Sequence, residues 1–197
     1  RLRPPLVRAT FWLAFAAFIL ALIGISHGLR PDFATKLQEL AFVIGIVASL
    51  VTGVLAAIAA FMVSLPDRPR LWFFLPAPAL AAWISTISYG CLTAWVGLGP
   101  NGIQFRDVVE CFATLVLTSV PISAAMLLML RYAAPLRPKA VTVMGSLAVA
   151  ALTATGLLLF HALDATIMIL MWNFGVAALF VVLGSASARR LFALVAP

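Results

Sequence analysis

In a chain of 197 residues, 64% are apolar and only 10% carry charge, against roughly 45–50% and about 25% in ordinary soluble domains. One core of this size could not hide so much apolar surface from water, which excludes a soluble globular domain and makes lipid the solvent for most of the chain. The net charge of +7 would suggest nucleic acid on a soluble face, but here the basic residues fall between apolar runs, so no direct nucleic-acid contact is expected.

Charges punctuate the chain. No Asp, Glu, Lys or Arg occurs between Arg8 and Arg30, Glu39 and Asp67, Arg70 and Arg106, Glu110 and Arg131, Lys139 and Asp164, or Asp164 and Arg189. Each gap approaches or exceeds the ~20 residues a helix needs to cross the hydrocarbon core. A central Arg or Asp would cost roughly 2.5–3.5 kcal/mol there, so the gaps mark where lipid lies. The expected fold is an all-α integral membrane protein, a bundle of six transmembrane helices near 9–28, 39–64, 72–97, 111–132, 140–162 and 167–188. Run length and the lack of strict alternation exclude barrel strands, and no run has the charged face of a surface helix.

Ahead of the first span, the chain opens at Arg1 without methionine or a cleavable signal, so a native cytoplasmic N-terminal segment is expected to be missing. Orientation follows from counting. With the N-terminus inside, the inner loops receive ten basic residues: Arg1, Arg3, Arg8, Arg68, Arg70, Arg131, Arg137, Lys139, Arg189 and Arg190. The outer loops receive three, Arg30, Lys36 and Arg106. That bias over short loops predicts both termini in the cytoplasm. No linker divides the chain, so residues 1–197 are read as one membrane domain, with helices that follow each other packing as antiparallel neighbours.

Pro66-Asp67-Arg68-Pro69-Arg70 before the third span is echoed by Pro135-Leu136-Arg137-Pro138-Lys139 before the fifth, with Arg3-Pro4 as a fragment before the first. Two readings stay open. Proline suits helix starts and arginine anchors inner ends; alternatively, Arg3, Arg68, Arg70, Arg137 and Lys139 form one basic face for a partner or anionic lipid. Trp12, Trp72 and Trp95 sit near span ends as interfacial anchors would, whereas Trp83 and Trp172 are deep enough for packing. Pro121 lies within the fourth span and removes a backbone donor there, so a kink or hinge is expected.

Candidate chemistry is sparse. No charge lies mid-membrane, no carboxylate pair or metal-spaced cluster is visible, and no nucleophile motif occurs, so neither an enzyme nor a bound metal or cofactor is expected. Serine and threonine are numerous, but most can bond back to their own helix. His27 and His161 end the first and fifth spans at the outer interface, either as satisfied polar tips or as sensing groups. Cys111 opens the fourth span beside Glu110, and Cys91 lies in the outer third of the third. Both are on the oxidising side, where a disulfide would persist if their depths allowed one; small packing residues are the alternative.

From Glu110 to Leu194 the chain resembles the NrsF-like family of bacterial membrane anti-sigma factors. The resemblance rests on Glu110-Cys111-Phe112 opening a span, then Pro121, Arg131 and Ala134-Pro135-Leu136-Arg137-Pro138. It continues through a small-residue span (Gly145, Ala148, Ala151, Gly156), Leu159 to Leu163 around His161, and Met171-Trp172-Asn173. It implies a protein that holds an extracytoplasmic-function sigma factor at the bacterial inner membrane, through a cytoplasmic segment before the first span. Release would follow periplasmic oxidative or heavy-metal stress. The family's two sensing cysteines would fall at Cys111 and at Ala162, after His161. Alanine there means a two-cysteine switch of the family's form does not operate; Cys91 substitutes, Cys111 acts alone, or the signal differs. A small-solute transporter or channel, or a structural subunit of a membrane complex, are the alternatives that the residues leave open.

Overall fold

The computed structural model describes residues 4–65, 67–95, 105–130 and 138–160, with the backbone alone at His27, 90–95 and 105–112. All regular structure among them is helical: α1 (Pro5–His27), α2 (Phe33–Lys36), α3 (Leu40–Val63), a 3-10 turn (Arg70–Phe74), α4 (Ala77–Trp95), α5 (Phe105–Leu130) and α6 (Pro138–Phe160). Among the described residues, five stretches are long and apolar enough to cross a membrane: Pro5–Ser26, Leu40–Val63, Arg70–Tyr89, Ala113–Leu130 and Pro138–Phe160. The 23 residues of α1 reach about 34 Å at 1.5 Å per residue, slightly more than the ~30 Å of hydrocarbon in a bilayer. The sixth expected span, 167–188, lies outside the described residues.

Helix starts and stops follow local chemistry. Pro5 opens α1 and Pro138 opens α6, positions where a missing amide costs nothing because first-turn donors have no helical partner. Gly28 ends α1 at φ 77°, a left-handed conformation open to glycine, and its amide bonds the Gly24 carbonyl at 2.9 Å. The third apolar run does not begin as one helix at 72. A 3-10 turn at Arg70–Phe74 comes first and α4 starts only at Ala77. Phe73 and Leu75 are held against the core at that point, so the chain is pinned before the helix takes over. The fourth helix extends the other way, starting at Phe105, six residues before Cys111.

α3 and α6 form the central pair, and they are antiparallel: Gly53 faces Leu152 while Ser49 faces Thr155. Small residues make this approach possible. Ala48, Ser49, Thr52, Gly53, Ala56 and Ala57 are buried along α3 at spacings of three and four, and without long side chains the two backbones come close. At Gly53 a built Cβ would lie 2.8 Å from the Leu152 Cγ and 3.3 Å from its backbone nitrogen. Ser49 Oγ and Thr155 Oγ1 share a buried hydrogen bond of 2.9 Å across the pair. With one proton apiece, one hydroxyl donates across the pair while the other donates to a carbonyl of its own helix, Ile46 for Ser49 or Ala151 for Thr155.

Around this pair, α4 packs on α3 through Trp83, which is buried against Ala48, Ala151 and Ala154. α5 packs on α6 and α1. α1 runs parallel to α6, since Leu20 meets Gly156 and Phe160 meets Gly24. The outward faces remain apolar: Phe11, Phe18, Leu22 and Ile25 on α1, Leu40 and Val47 on α3, and Leu117 and Val120 on α5 are exposed. A surface of that kind suits hydrocarbon and not water. Helix directions alternate along the chain, so the bundle has two ends. A proximal end collects the start of α1, the end of α3, the 3-10 turn and the start of α6; a distal end collects the α1–α3 connection, the start of α5 and the end of α6.

Candidate functional site: two ends of the bundle

At the distal end the connection after α1 forms a clasp. The Arg30 guanidinium makes a bidentate pair with Asp32, Nε to Oδ1 and Nη2 to Oδ2, each 2.7 Å. It also lies 5.2 Å from the centre of the Phe42 ring, and Phe33 meets Phe42 edge-on. Arg30 is buried, which a charge tolerates only when paired and hydrogen-bonded. Its backbone amide donates to the Leu159 carbonyl at 3.1 Å, in the last described turn of α6. The hydrogen bond from Arg30 holds the Asp32 carboxyl below the usual carboxylate range, against an opposing push from desolvation. Lys36 pairs with Glu39 (3.0 Å) on the exposed side of the same loop.

The sensing candidates fall on or next to this end. Cys111 is in α5 with two turns of helix ahead of it, and Arg106, Asp107 and Glu110 lie on those turns. Cys91 is in α4, one turn before Trp95. The side chains of both are outside the described residues, as is the whole of His161, which follows the last described residue of α6. Pro121 is half-buried inside α5, and the helix continues through it. Among the described residues no three His, Cys, Asp or Glu groups come together to hold a metal.

At the proximal end, Arg68, Arg70 and Lys139 are exposed; Arg3 and Arg137 are outside the described residues. The two proline–arginine copies lead into different structures. The first runs into the 3-10 turn, whereas in the second Pro138 is already the first residue of α6.

Two contacts at this end escaped the sequence reading. Trp12 is an anchor of a different kind from that expected of an interfacial tryptophan: it is fully buried, and its Nε1 donates to the Ile122 carbonyl at 3.1 Å. Arg8 is buried, with its guanidinium 5.4 Å from the centre of the Phe61 ring. The start of α1 is thus tied to α3 and α5, and its end to α6. The Arg30-x-Asp32 pair did have a local signal, opposite charges two residues apart just beyond a glycine.

A family model described as the negative regulator of sigma F matches residues 1–193, nearly the whole chain. The chain belongs to the NrsF family. The match extends over both bundle ends and all five apolar helices, well beyond the Glu110–Leu194 stretch whose motifs carried the resemblance. The family is one of negative regulators of a sigma factor. No curated protein and no solved structure matches the chain.

Proposed function

We propose that this NrsF-family chain is a six-span anti-sigma factor of the bacterial inner membrane, with both termini in the cytoplasm. It holds an extracytoplasmic-function sigma factor through the cytoplasmic segment that leads into α1, and releases it on periplasmic oxidative or heavy-metal stress. The proximal end then faces the cytoplasm. In support, Arg8, Arg68, Arg70 and Lys139 gather there, as the positive-inside bias requires.

The observation that carries the reading, beside the family match, is the mounting of α1. It is held near its start by Arg8 on Phe61 and Trp12 on Ile122, and just beyond its end by Arg30 on Leu159, while Gly24 meets only the ring edge of Phe160. A stiff helix held in this way carries a distal displacement to the segment that precedes it. Oxidation or metallation of the Cys111 thiolate alters the packing of α5, and α5 meets both α1 and α6. With Ala162 in place of the family's second cysteine, Cys111 acts with Cys91 or alone.

The test is release of a sigma factor co-purified with the full-length protein. Peroxide or cadmium is expected to release it from wild type and from neither Cys111→Ser nor the cysteine-free double variant. Unchanged release from Cys111→Ser rejects the cysteine mechanism, and failure of any sigma factor to co-purify rejects the regulator.

A further inference from the structure

The 3-10 turn at the proximal end is where basic and apolar groups are exposed side by side. In a 3-10 helix, residues three apart stack on one face. Leu71 and Phe74 are such a pair, and they are 75% and 65% exposed. Trp72 and Phe73 are half-buried, and Phe73 packs onto the core cluster and meets Phe74 edge-on at 5.6 Å. The turn therefore has one side fixed to the bundle and one apolar side presented outward. Arg68 precedes the turn and Arg70 is its first residue, on either side of Pro69 and both exposed, with Lys139 exposed at the same end.

Depth distinguishes this patch from the apolar faces of the long helices. It lies beyond the end of α3 and ahead of the first turn of α4, at the level where hydrocarbon gives way to headgroups once these helices span a bilayer. A leucine and a phenylalanine there enter the acyl boundary, and arginines one and three residues before Leu71 stand at the phosphate plane. The guanidinium matches a phosphate diester in charge and in donor geometry. We propose that Arg68, Arg70, Leu71 and Phe74 form a binding surface for an anionic glycerophospholipid of the leaflet at the proximal end. Its headgroup phosphate is taken by the arginines and its upper acyl segment by the apolar pair. The surface anchors the α3–α4 connection to the membrane and rests on the spanning reading, not on the sigma factor.

The test reconstitutes the full chain in phosphatidylcholine vesicles containing trace spin-labelled phosphatidylglycerol or spin-labelled phosphatidylcholine, and compares the association of the two labels. Wild type is expected to favour phosphatidylglycerol by about fivefold or more, since one basic residue near an anionic surface is worth roughly 1 kcal/mol. The R68Q/R70Q variant is expected to lose that preference, and L71S/F74S to weaken the association of both labels. Lys36→Gln, at the distal end, is expected to leave it unchanged. Equal melting temperatures in detergent show that the exposed substitutions leave the fold intact. Retained preference in R68Q/R70Q overturns the proposal, as does its abolition in wild type by millimolar inorganic phosphate, which would make the site one for free phosphate. A double variant that keeps its lipid preference and loses a bound sigma factor overturns it in favour of a protein-docking face. Because the lipid measurement contains no sigma factor, its failure leaves the regulatory reading standing.

Discussion

Both α3 and α1 approach α6 through glycines, but different atoms fill the two gaps. Across from Gly53 the neighbours are the branch point of Leu152 and that residue's own backbone nitrogen. Across from Gly24 and Gly156 they are the ring edge of Phe160 and the tip of Leu20. A side-chain tip can turn aside, whereas a backbone cannot without moving its helix. The α3–α6 contact is therefore a fixed seam and the α1–α6 contact an adjustable one. In the release mechanism proposed above, the seam supplies the frame against which α1 shifts.

Graded substitutions test that difference. Gly53→Ala should give the largest effect, about 2 kcal/mol of lost stability in detergent-induced unfolding, within the usual cost of overpacking a closed interface. Gly45→Ala on the same helix should be neutral or slightly stabilising, because its nearest neighbour, the Thr86 hydroxyl, stands at an ordinary 3.6 Å. Equal losses at both positions would dissolve the seam. Gly24→Ala and Gly156→Ala should each cost about 1 kcal/mol or less while changing the exchange of spin labels placed along α1; a loss matching Gly53→Ala would make α1 as rigid as α3.

Smaller effects come from single polar groups. Thr155→Val removes the bond to Ser49 and should cost roughly 0.6–1 kcal/mol, the range for such bonds within membranes. Thr153 is buried on the same helix, and its hydroxyl has no partner among the described residues. Thr153→Val should therefore be neutral or stabilising, since it removes an unsatisfied group without changing shape. The smallest change concerns the clasp. With Asp32 held below its ordinary value of 3.8, the Arg30–Asp32 contribution is complete above that value and is lost as pH falls through the lower folded value. Hydrogen exchange at the Arg30 amide should accelerate over that acid range in wild type, and Asp32→Asn should exchange fast at every pH. A pH-independent wild type would mean that the backbone bond to Leu159 holds the loop unaided.

Much of the fold was legible because lipid imposes a coarse rule, one uncharged run for each crossing. That rule located all five apolar helices but not their exact starts. At 72–76 the run of apolar residues continues straight through a 3-10 turn, because hydropathy does not register where Phe73 and Leu75 dock on a neighbour. Trp12 shows the complementary limit. Its position near a span end is as an interfacial anchor requires, yet the Ile122 carbonyl claims its donor from 110 residues away, and no local pattern announces such a pairing. Arg8 and Arg30 were counted only as topological charges, though both are buried against aromatic rings. At the candidate site, Cys111, Cys91 and Pro121 were identifiable as residue types on apolar runs. What they touch depends on helix rotation and depth, which the spacing of charges leaves free.

Ser49 and Thr155, joined at the centre of the bundle, lie 106 positions apart in the chain. At ribosomal speeds of about 5–20 residues per second, α3 is made some 5–20 s before the stretch of α6 that completes it. In the membrane-spanning reading proposed above, the small, hydroxyl-bearing face of α3 has only lipid or the insertion machinery beside it throughout that interval. The nascent chain is therefore most exposed to mispairing or proteolysis while α4 and α5 are being synthesised, and its yield in the cell depends on what shelters one half-finished seam.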